Sequence, residues 1–231
     1  MKFIKYASSS RGNFYILQYG KERLMIECGL NPKALKEKLD YNFDNIIGCL
    51  ISHSHTDHCK SSYAVAKLGI DLYCTKKTSD NFVIKDKQDK VKNIVPLKPF
   101  EIRSFKIIAF ETEHDCEGSV GFVIKCGNNK FLFATDTYFV YPRFKDLTEI
   151  AIECNYDFES MDQNINKTHR KRILKSHMGL HTLKEFLRAN DLSAVKRIHL
   201  LHISTQNGNP ELYKKEIEKE FNIETLIDVE N

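Results

Sequence analysis

Apolar runs of strand length dominate the pattern of hydrophobic and polar positions along the chain. They are rich in Ile, Val, Phe and Tyr, which favour strands, and turn residues separate them. The runs are KFIKYAS, NFYILQYG, ERLMIECG, IIGCLISH, LYCTK, FEIRSFKIIAFETEH, SVGFVIKCG, KFLFATDT, EIAIECNY, RIHLLHIS and ETLIDV. Gly127-Asn128-Asn129 separates two of them and predicts a β-hairpin.

Capping residues predict several helices between these strands. Asn31-Pro32 precedes ALKEKL, and Asn209-Pro210 precedes ELYKKEIEKEF, so each helix would begin with a capping residue followed by proline. Thr182 and Glu185 have the spacing of a capping box before FLRAN. Meanders of strands with a few helices between them predict an α/β protein with two sheets covered by helices.

Composition is that of a globular protein. The 231 residues are 42% hydrophobic and 29% charged, with 10 Gly and 5 Pro, which excludes a disordered or collagen-like chain. Since no linker, repeat or low-complexity tract interrupts the sequence, we expect a single domain over residues 1–231. The net charge of +4 permits a phosphate-bearing substrate without requiring one.

The sequence also indicates a cellular compartment. We expect a cytoplasmic protein, because no apolar stretch reaches the roughly 20 residues of a membrane-spanning helix and the N-terminus lacks a continuous apolar run. The seven cysteines are scattered and include no C-x-x-C pair, so we expect reduced thiols.

Four residues able to bind metal follow directly after an apolar strand run, namely His53, His55, Asp57 and His58. Neutral imidazole and carboxylate suit zinc and similar divalent ions. Because side chains alternate along a strand, His53 and His55 can point the same way off its end. Once the chain turns into a helix, Asp57 and His58 can be directed at a second position, so the spacing suits two adjacent ions better than one.

H-x-H-x-D-H resembles the signature of the metallo-β-lactamase fold, an αββα four-layer sandwich with metals at one edge of its two sheets. Three further residues end later apolar runs in the order that this superfamily shows: His114, Asp136 and His202. The resemblance implies two divalent metal ions, and the His/Asp ligand set suits zinc, manganese and iron alike. It implies that His53, His55 and His114 bind one ion, that Asp57, His58 and His202 bind the other, and that Asp136 bridges them.

Within the superfamily the chain is most similar to the YycJ/WalJ-like group, from about residue 3 to residue 226. The segments that resemble this group are SSSRGNFYIL, ERLMIECGLNPKALKEKL, TEHDCEGSVGF and LLHISTQNGNP. The resemblance implies a phosphodiester hydrolase, since the group is similar to 5′-to-3′ DNA exonucleases. The chain departs from this group at two places. Glu27 stands where the group has an Asp that orients a ligand histidine. The group's G-H-L-S motif corresponds here to Gly179-Leu180-His181-Thr182, in which the His lies one position later.

The resemblance also implies roles for residues at the substrate. Asp57 would bind metal and accept the nucleophile's proton, while His177 or His181 would contact the phosphate or protonate the leaving oxygen. Asn155 follows a strand run, as in the family's E-x-N, and could reach the substrate. A basic run between Lys167 and Lys175 could bind a nucleic-acid backbone through Lys167, Arg170 and Arg172, or form a solvated face.

Several functions remain open on the sequence alone. We expect a nucleic-acid or nucleotide substrate and no membrane partner, and a homodimer is left open. The alternatives are a cyclic-nucleotide phosphodiesterase of the kind some phages use against nucleotide-signalling immunity, and a glyoxalase-type thioester hydrolase. A β-lactamase would need an export signal, and a non-catalytic binding module would not need the complete ligand set.

Overall fold

The computed structural model describes residues 1–82, 84–159, 161 and 166–227. The chain divides into two compact units. Unit 1 comprises Met1–Ala109 and Cys116–Val120, and unit 2 comprises Phe110–Asp115 and Gly121–Ile227. Each unit has its own apolar core. A single domain over residues 1–231 stays a prediction.

Runs of consecutive strands, with helices between them, make up the described chain. The strands are β1 Lys2–Ser9, β2 Gly12–Tyr19, β3 Glu22–Ile26, β4 Ile46–Leu50, β5 Leu72–Thr75, β6 Val91–Ile94, β7 Phe100–Ile102, β8 Phe105–Glu111, β9 Val120–Cys126, β10 Asn129–Ala134, β11 Glu149–Glu153, β12 Arg197–Leu201 and β13 Glu224–Leu226. The helices are α1 Pro32–Lys38, α2 Thr56–Cys59, α3 Ser62–Lys67, α4 Lys76–Ser79, α5 Lys167–Ser176, α6 Leu180–Arg188 and α7 Pro210–Phe221, with a 3₁₀ turn at Gln88–Lys90.

Unit 1 is built on a sheet in which β1 to β6 follow one another in chain order. The first two pairings are antiparallel, whereas β3, β4, β5 and β6 run parallel. The carboxyl ends of β3 and β4 therefore meet at one edge, with Ile26 paired to Leu50. In sheets of this kind, ligands bind at the carboxyl ends of the strands.

Unit 2 repeats this arrangement with other strands, in the spatial order β13-β12-β11-β10-β9. The hairpin of β9 and β10 turns at Gly127-Asn128, as predicted, and Gly127 adopts a φ of 55° that glycine tolerates best. The strands β10 to β13 are parallel, with Ala134 paired to Ile152 and Glu153 paired to Leu201. The residues that follow β10, β11 and β12 therefore share one edge.

Most of the local predictions are confirmed. Among the described residues the chain is mixed α/β with two sheets, and the side chains of Asn31 and Asn209 cap α1 and α7 as expected. The predicted capping box at Thr182 is wrong, because α6 already begins at Leu180 and its N-cap is Gly179. All seven cysteines lie within the described residues and are free thiols.

Across the described ranges, no helix has both the length and the apolar character needed to cross a membrane. The cytoplasmic location stays a prediction.

Candidate metal centre

In unit 1, the predicted ligands gather where β4 ends and α2 begins. The Nε2 atom of His53 lies 3.1 Å from Nδ1 of His55, and the ring centroids of His53 and His58 are 4.1 Å apart. Nε2 of His58 is 3.4 Å from a carboxylate oxygen of Asp57. Three imidazoles and a carboxylate this close together supply the nitrogen and oxygen donors that divalent metals bind.

Glu27 supports this group from the end of β3. Its buried carboxylate lies 3.5 Å from Nδ1 of His58 and accepts a hydrogen bond from the backbone N–H of Ser52. The glutamate therefore reaches the candidate ligand His58 although the resemblance implied an aspartate at this position. It does so from a left-handed backbone with a φ of 62°. Burial raises the pKa of the Glu27 carboxyl, against the opposing effect of His58.

The backbone around Gly29 fixes the position of α2. A Cβ atom at Gly29 would lie 1.5 Å from the carbonyl oxygen of Asp57, so only glycine permits this approach. The neighbouring Cys28 donates its N–H to the carbonyl of His58 at 2.8 Å. The turn after β3 and the short helix α2 are thereby locked together.

In unit 2, Asp136, Glu153 and His202 meet at the carboxyl ends of β10, β11 and β12. Together with His177 they bring one ligand atom each within 4.8 Å of one another. Asp136 and His202 have φ values of 47° and 50°, left-handed conformations that are uncommon outside glycine and concentrate at functional sites.

Hydrogen bonds stabilise both of these backbone positions. Asn155 donates its side-chain N–H to the carbonyl of His202 at 2.7 Å. The N–H of Thr137, which follows Asp136, donates to a carboxylate oxygen of Glu153 at 2.9 Å. The strand ends therefore present Asp136 and His202 in fixed orientations.

Glu153 is the buried anion of unit 2. Its carboxylate lies 2.7 Å from Nδ1 of His177 and 3.1 Å from Nδ1 of His202. Burial would raise the pKa of the Glu153 carboxyl, but His177 and His202 outweigh burial and lower it. Burial would likewise lower the pKa of His177, but Glu153 and Asp136 outweigh it and raise that pKa to about 9.

His114 belongs to the same unit, and its side chain is only 2% exposed. Its Nδ1 lies 3.0 Å from the carbonyl oxygen of Ser176. A carbonyl oxygen can only accept, so Nδ1 carries the proton and Nε2 has the lone pair that a metal needs. Burial lowers the pKa of His114, which favours the neutral imidazole that metals bind.

Four of the predicted ligand histidines share one arrangement. In each, Nδ1 faces an oxygen atom, so Nε2 is the atom that would bind a metal. The oxygens belong to the Ser52 hydroxyl for His53, Glu27 for His58, the Ser176 carbonyl for His114 and Glu153 for His202. Histidines that bind metal nearly always have the other ring nitrogen hydrogen-bonded to an oxygen atom. His53, His114 and His202 have such a hydrogen bond, and for His58 the carboxylate of Glu27 lies 3.5 Å away. The donor sets of both units therefore fit divalent metal ions.

The family of the chain follows from its sequence match. The sequence model of the beta-lactamase superfamily domain matches residues 22–203. The chain belongs to the beta-lactamase superfamily. The matched segment contains all seven of the metal ligands that the sequence predicted, from His53 to His202.

Two curated relatives are similar to this chain over nearly its whole length. Exodeoxyribonuclease YycJ of Bacillus anthracis is 26% identical, with 94% of this chain and 88% of the relative covered. Exodeoxyribonuclease WalJ of Streptococcus pneumoniae is 27% identical, with 91% and 84% covered. The predicted similarity to the YycJ/WalJ-like group is confirmed.

A solved structure shows the same fold. The metallo-beta-lactamase fold protein YhfI of Bacillus subtilis has a TM-score of 0.73 at 17% sequence identity, and the likeness covers 98% of this chain and 96% of YhfI. The predicted metallo-β-lactamase fold is confirmed.

The two candidate substrate histidines have different surroundings. His177 lies beside the candidate ligand Asp136, with 3.6 Å between Nδ1 and the carboxylate. The side chain of His181 is 70% exposed on the first turn of α6 and pairs with Glu185. The structure therefore brings His177, and not His181, together with the ligands of unit 2.

The other predicted substrate residues also differ in their partners. Asn155 contacts His202, as described above. Lys167 and Arg170 lie on α5, and Arg172 of the same helix donates to the carboxylate of Asp115 at 2.8 Å. Their substrate contacts stay predictions.

Asn13 is a site residue that the sequence did not single out. Its side-chain nitrogen lies 3.0 Å from Nε2 of His58 and 3.3 Å from the backbone carbonyl oxygen of Asp57. Tyr15 donates its hydroxyl to the Asn13 carbonyl oxygen at 3.1 Å and so fixes the orientation of the amide. The sequence signal that could have identified Asn13 is the segment SSSRGN, which resembles the YycJ/WalJ-like group and ends at this residue.

Proposed function

We propose that the chain is a phosphodiester hydrolase that depends on two divalent metal ions and acts on nucleic acid in an exonuclease-like manner. The observation that carries the proposal is the shared arrangement of four histidines with shielded side chains, each with Nδ1 facing an oxygen atom. Metal ligation explains this arrangement, and the relatives named exodeoxyribonuclease cover nearly the whole chain.

The proposed ligands follow the superfamily pattern. His53, His55 and His114 would bind one ion, Asp57, His58 and His202 the other, and Asp136 would bridge them. Zinc or manganese suits these donors, and iron is an alternative. Two such ions would lower the pKa of a water and offset charge on the phosphoryl oxygens.

Protein groups supply the proton transfers in this proposal. Asp57 would accept the proton of the attacking water. His177 would contact the phosphate or protonate the leaving oxygen, since Glu153 fixes its Nδ1 and leaves Nε2 for the substrate. His181 is the weaker candidate because it is exposed and paired with Glu185.

The cations of helix α5 favour a nucleic-acid substrate over a small nucleotide. Lys167, Lys171, Arg172 and Lys175 are exposed, and Arg170 is half-buried. Of these five cations, Arg172 forms an ion pair with a carboxylate within the described part of the chain. That partner, Asp115, lies 3.3 Å from Nε2 of His114. A row of cations beside a candidate metal ligand can follow a phosphate backbone.

A substrate panel tests this function. The purified protein, supplied with Mn²⁺ or Zn²⁺, is offered linear DNA with free or blocked 5′ ends, single-stranded RNA, a cyclic mononucleotide and a glutathione thioester. We expect linear DNA with free ends to be degraded fastest. Fastest turnover of the cyclic mononucleotide or of the thioester would contradict the nuclease proposal and support the corresponding alternative.

A further inference from the structure

An aromatic cluster directly follows the candidate bridging residue Asp136. It consists of Tyr138, Phe139 and Tyr141 and is called the aromatic cluster below. We propose that it stacks the unpaired bases of a single-stranded nucleic-acid segment. This inference rests on the proposed function and adds a substrate class to it.

The three rings form a connected surface. The Phe139 and Tyr141 rings meet edge to face with centroids 4.9 Å apart, and those of Tyr138 and Phe139 are 6.2 Å apart. The hydroxyls of Tyr138 and Tyr141 lie 3.4 Å from each other. Tyr141 is 63% exposed, while the neighbouring Val140 is buried in the core of unit 2. The core thus anchors the segment and leaves ring surface available to a base.

Hydrogen bonds fix the segment at both ends. Before the rings, the N–H of Tyr138 donates to the carbonyl of Glu113 at 3.0 Å. After them, Arg143 donates to the carbonyl of Ala189, and the N–H of Phe144 donates to the side chain of Asn190. A surface that is already ordered loses little conformational entropy on binding.

The segment of residues 113–115 connects the aromatic cluster to the basic helix α5. Glu113 bonds to Tyr138 as described, and Asp115 forms its ion pair with Arg172 of α5. Between them, His114 contacts the carbonyl of Ser176 at the end of α5. The rings and the cations therefore flank the same three residues, which include a candidate metal ligand.

This placement combines the two features that bind single strands. Proteins that bind single-stranded nucleic acid use a basic groove for the phosphates and aromatic side chains for the bases. Stacking tolerates any sequence, because every base has a π-face. Bases of a fully paired duplex are already stacked, so the aromatic cluster would act on frayed or single-stranded ends.

Tryptophan fluorescence offers a direct test, because the chain contains no tryptophan. Tyr141→Trp places a single reporter in the aromatic cluster. Tyr41→Trp is a matched control, since Tyr41 is also 63% exposed but lies in unit 1. Each full-length variant is titrated, in the presence of a chelator that prevents cleavage, with a 5′-phosphorylated oligothymidine of about 12 nucleotides.

We expect saturable quenching for Tyr141→Trp and none for Tyr41→Trp. A closed hairpin duplex without unpaired ends should quench Tyr141→Trp less than the single strand. In a separate binding assay, Tyr141→Ala should weaken affinity for the single strand by about 5- to 150-fold, the loss expected when one base loses its stacking partner. Tyr41→Ala should leave that affinity unchanged.

Two results would overturn the inference, and they are distinguishable. If the parent protein degrades DNA while Tyr141→Trp is not quenched and Tyr141→Ala binds the single strand like the parent, the stacking role is wrong and the proposed function stands. If the parent neither binds nor degrades any nucleic acid, the proposed function fails and the stacking role fails with it. Circular dichroism of each variant verifies that it is folded.

Discussion

Replacing Asp57 by alanine is expected to abolish phosphodiester hydrolysis while the protein stays folded. Asp57 would bind a metal and accept the proton of the nucleophile, and loss of a general base alone lowers rates by about 100-fold or more. Its side chain is 24% exposed on the short helix α2, and it is not part of the apolar core of unit 1. The measurement is turnover of bis-(p-nitrophenyl) phosphate, with thermal unfolding of the same sample.

Asp44→Ala is the matched control, because Asp44 is an exposed aspartate of the same unit. The control should retain parental turnover, and both variants should unfold within roughly 4 °C of the parent, as expected for about 1 kcal/mol in a chain of this size. Parental turnover by Asp57→Ala would remove Asp57 from the catalytic site.

Asp136→Asn is expected to lower the bound metal from about two ions per chain to about one, because a neutral amide is a poorer bridge between two cations. The substitution preserves the shape of the side chain, whose second oxygen accepts a hydrogen bond from the Thr135 hydroxyl at 2.8 Å. The measurement is elemental analysis of the purified variant after dialysis.

Asp146→Asn controls for the substitution itself. Asp146 is exposed in the same unit and has a φ of 58°, close to the 47° of Asp136. The control should bind as much metal as the parent. Two ions retained by Asp136→Asn would show that another residue bridges the ions.

The sequence predicted the strand ends that supply the candidate ligands, because these depend on local patterns. The apolar runs that supply the candidate ligands end in polar residues, and parallel strands bring such residues to one edge whatever lies between them. Asn31 and Asn209 cap their helices for the same local reason. Thr182 shows the limit of such local prediction. It has the spacing of a capping box with Glu185, but the helix already begins at Leu180.

The contacts that orient the candidate ligands could not be predicted in this way. Ser176 reaches His114 across 62 positions of sequence, and Asn13 reaches His58 across 45. Such pairs depend on how strands and loops pack, which no local pattern encodes. The aromatic cluster is a similar case: no aromatic residue interrupts the basic run of α5, and the fold connects the two through residues 113–115.

The metal dependence of DNA degradation tests the central claim most directly. The purified protein is treated with a chelator, dialysed, and assayed for release of nucleotides from end-labelled linear DNA before and after addition of Zn²⁺ or Mn²⁺. We predict no release from the metal-depleted protein and restored release as the chain binds about two ions. Full release by protein that holds less than about one ion per chain would contradict the account.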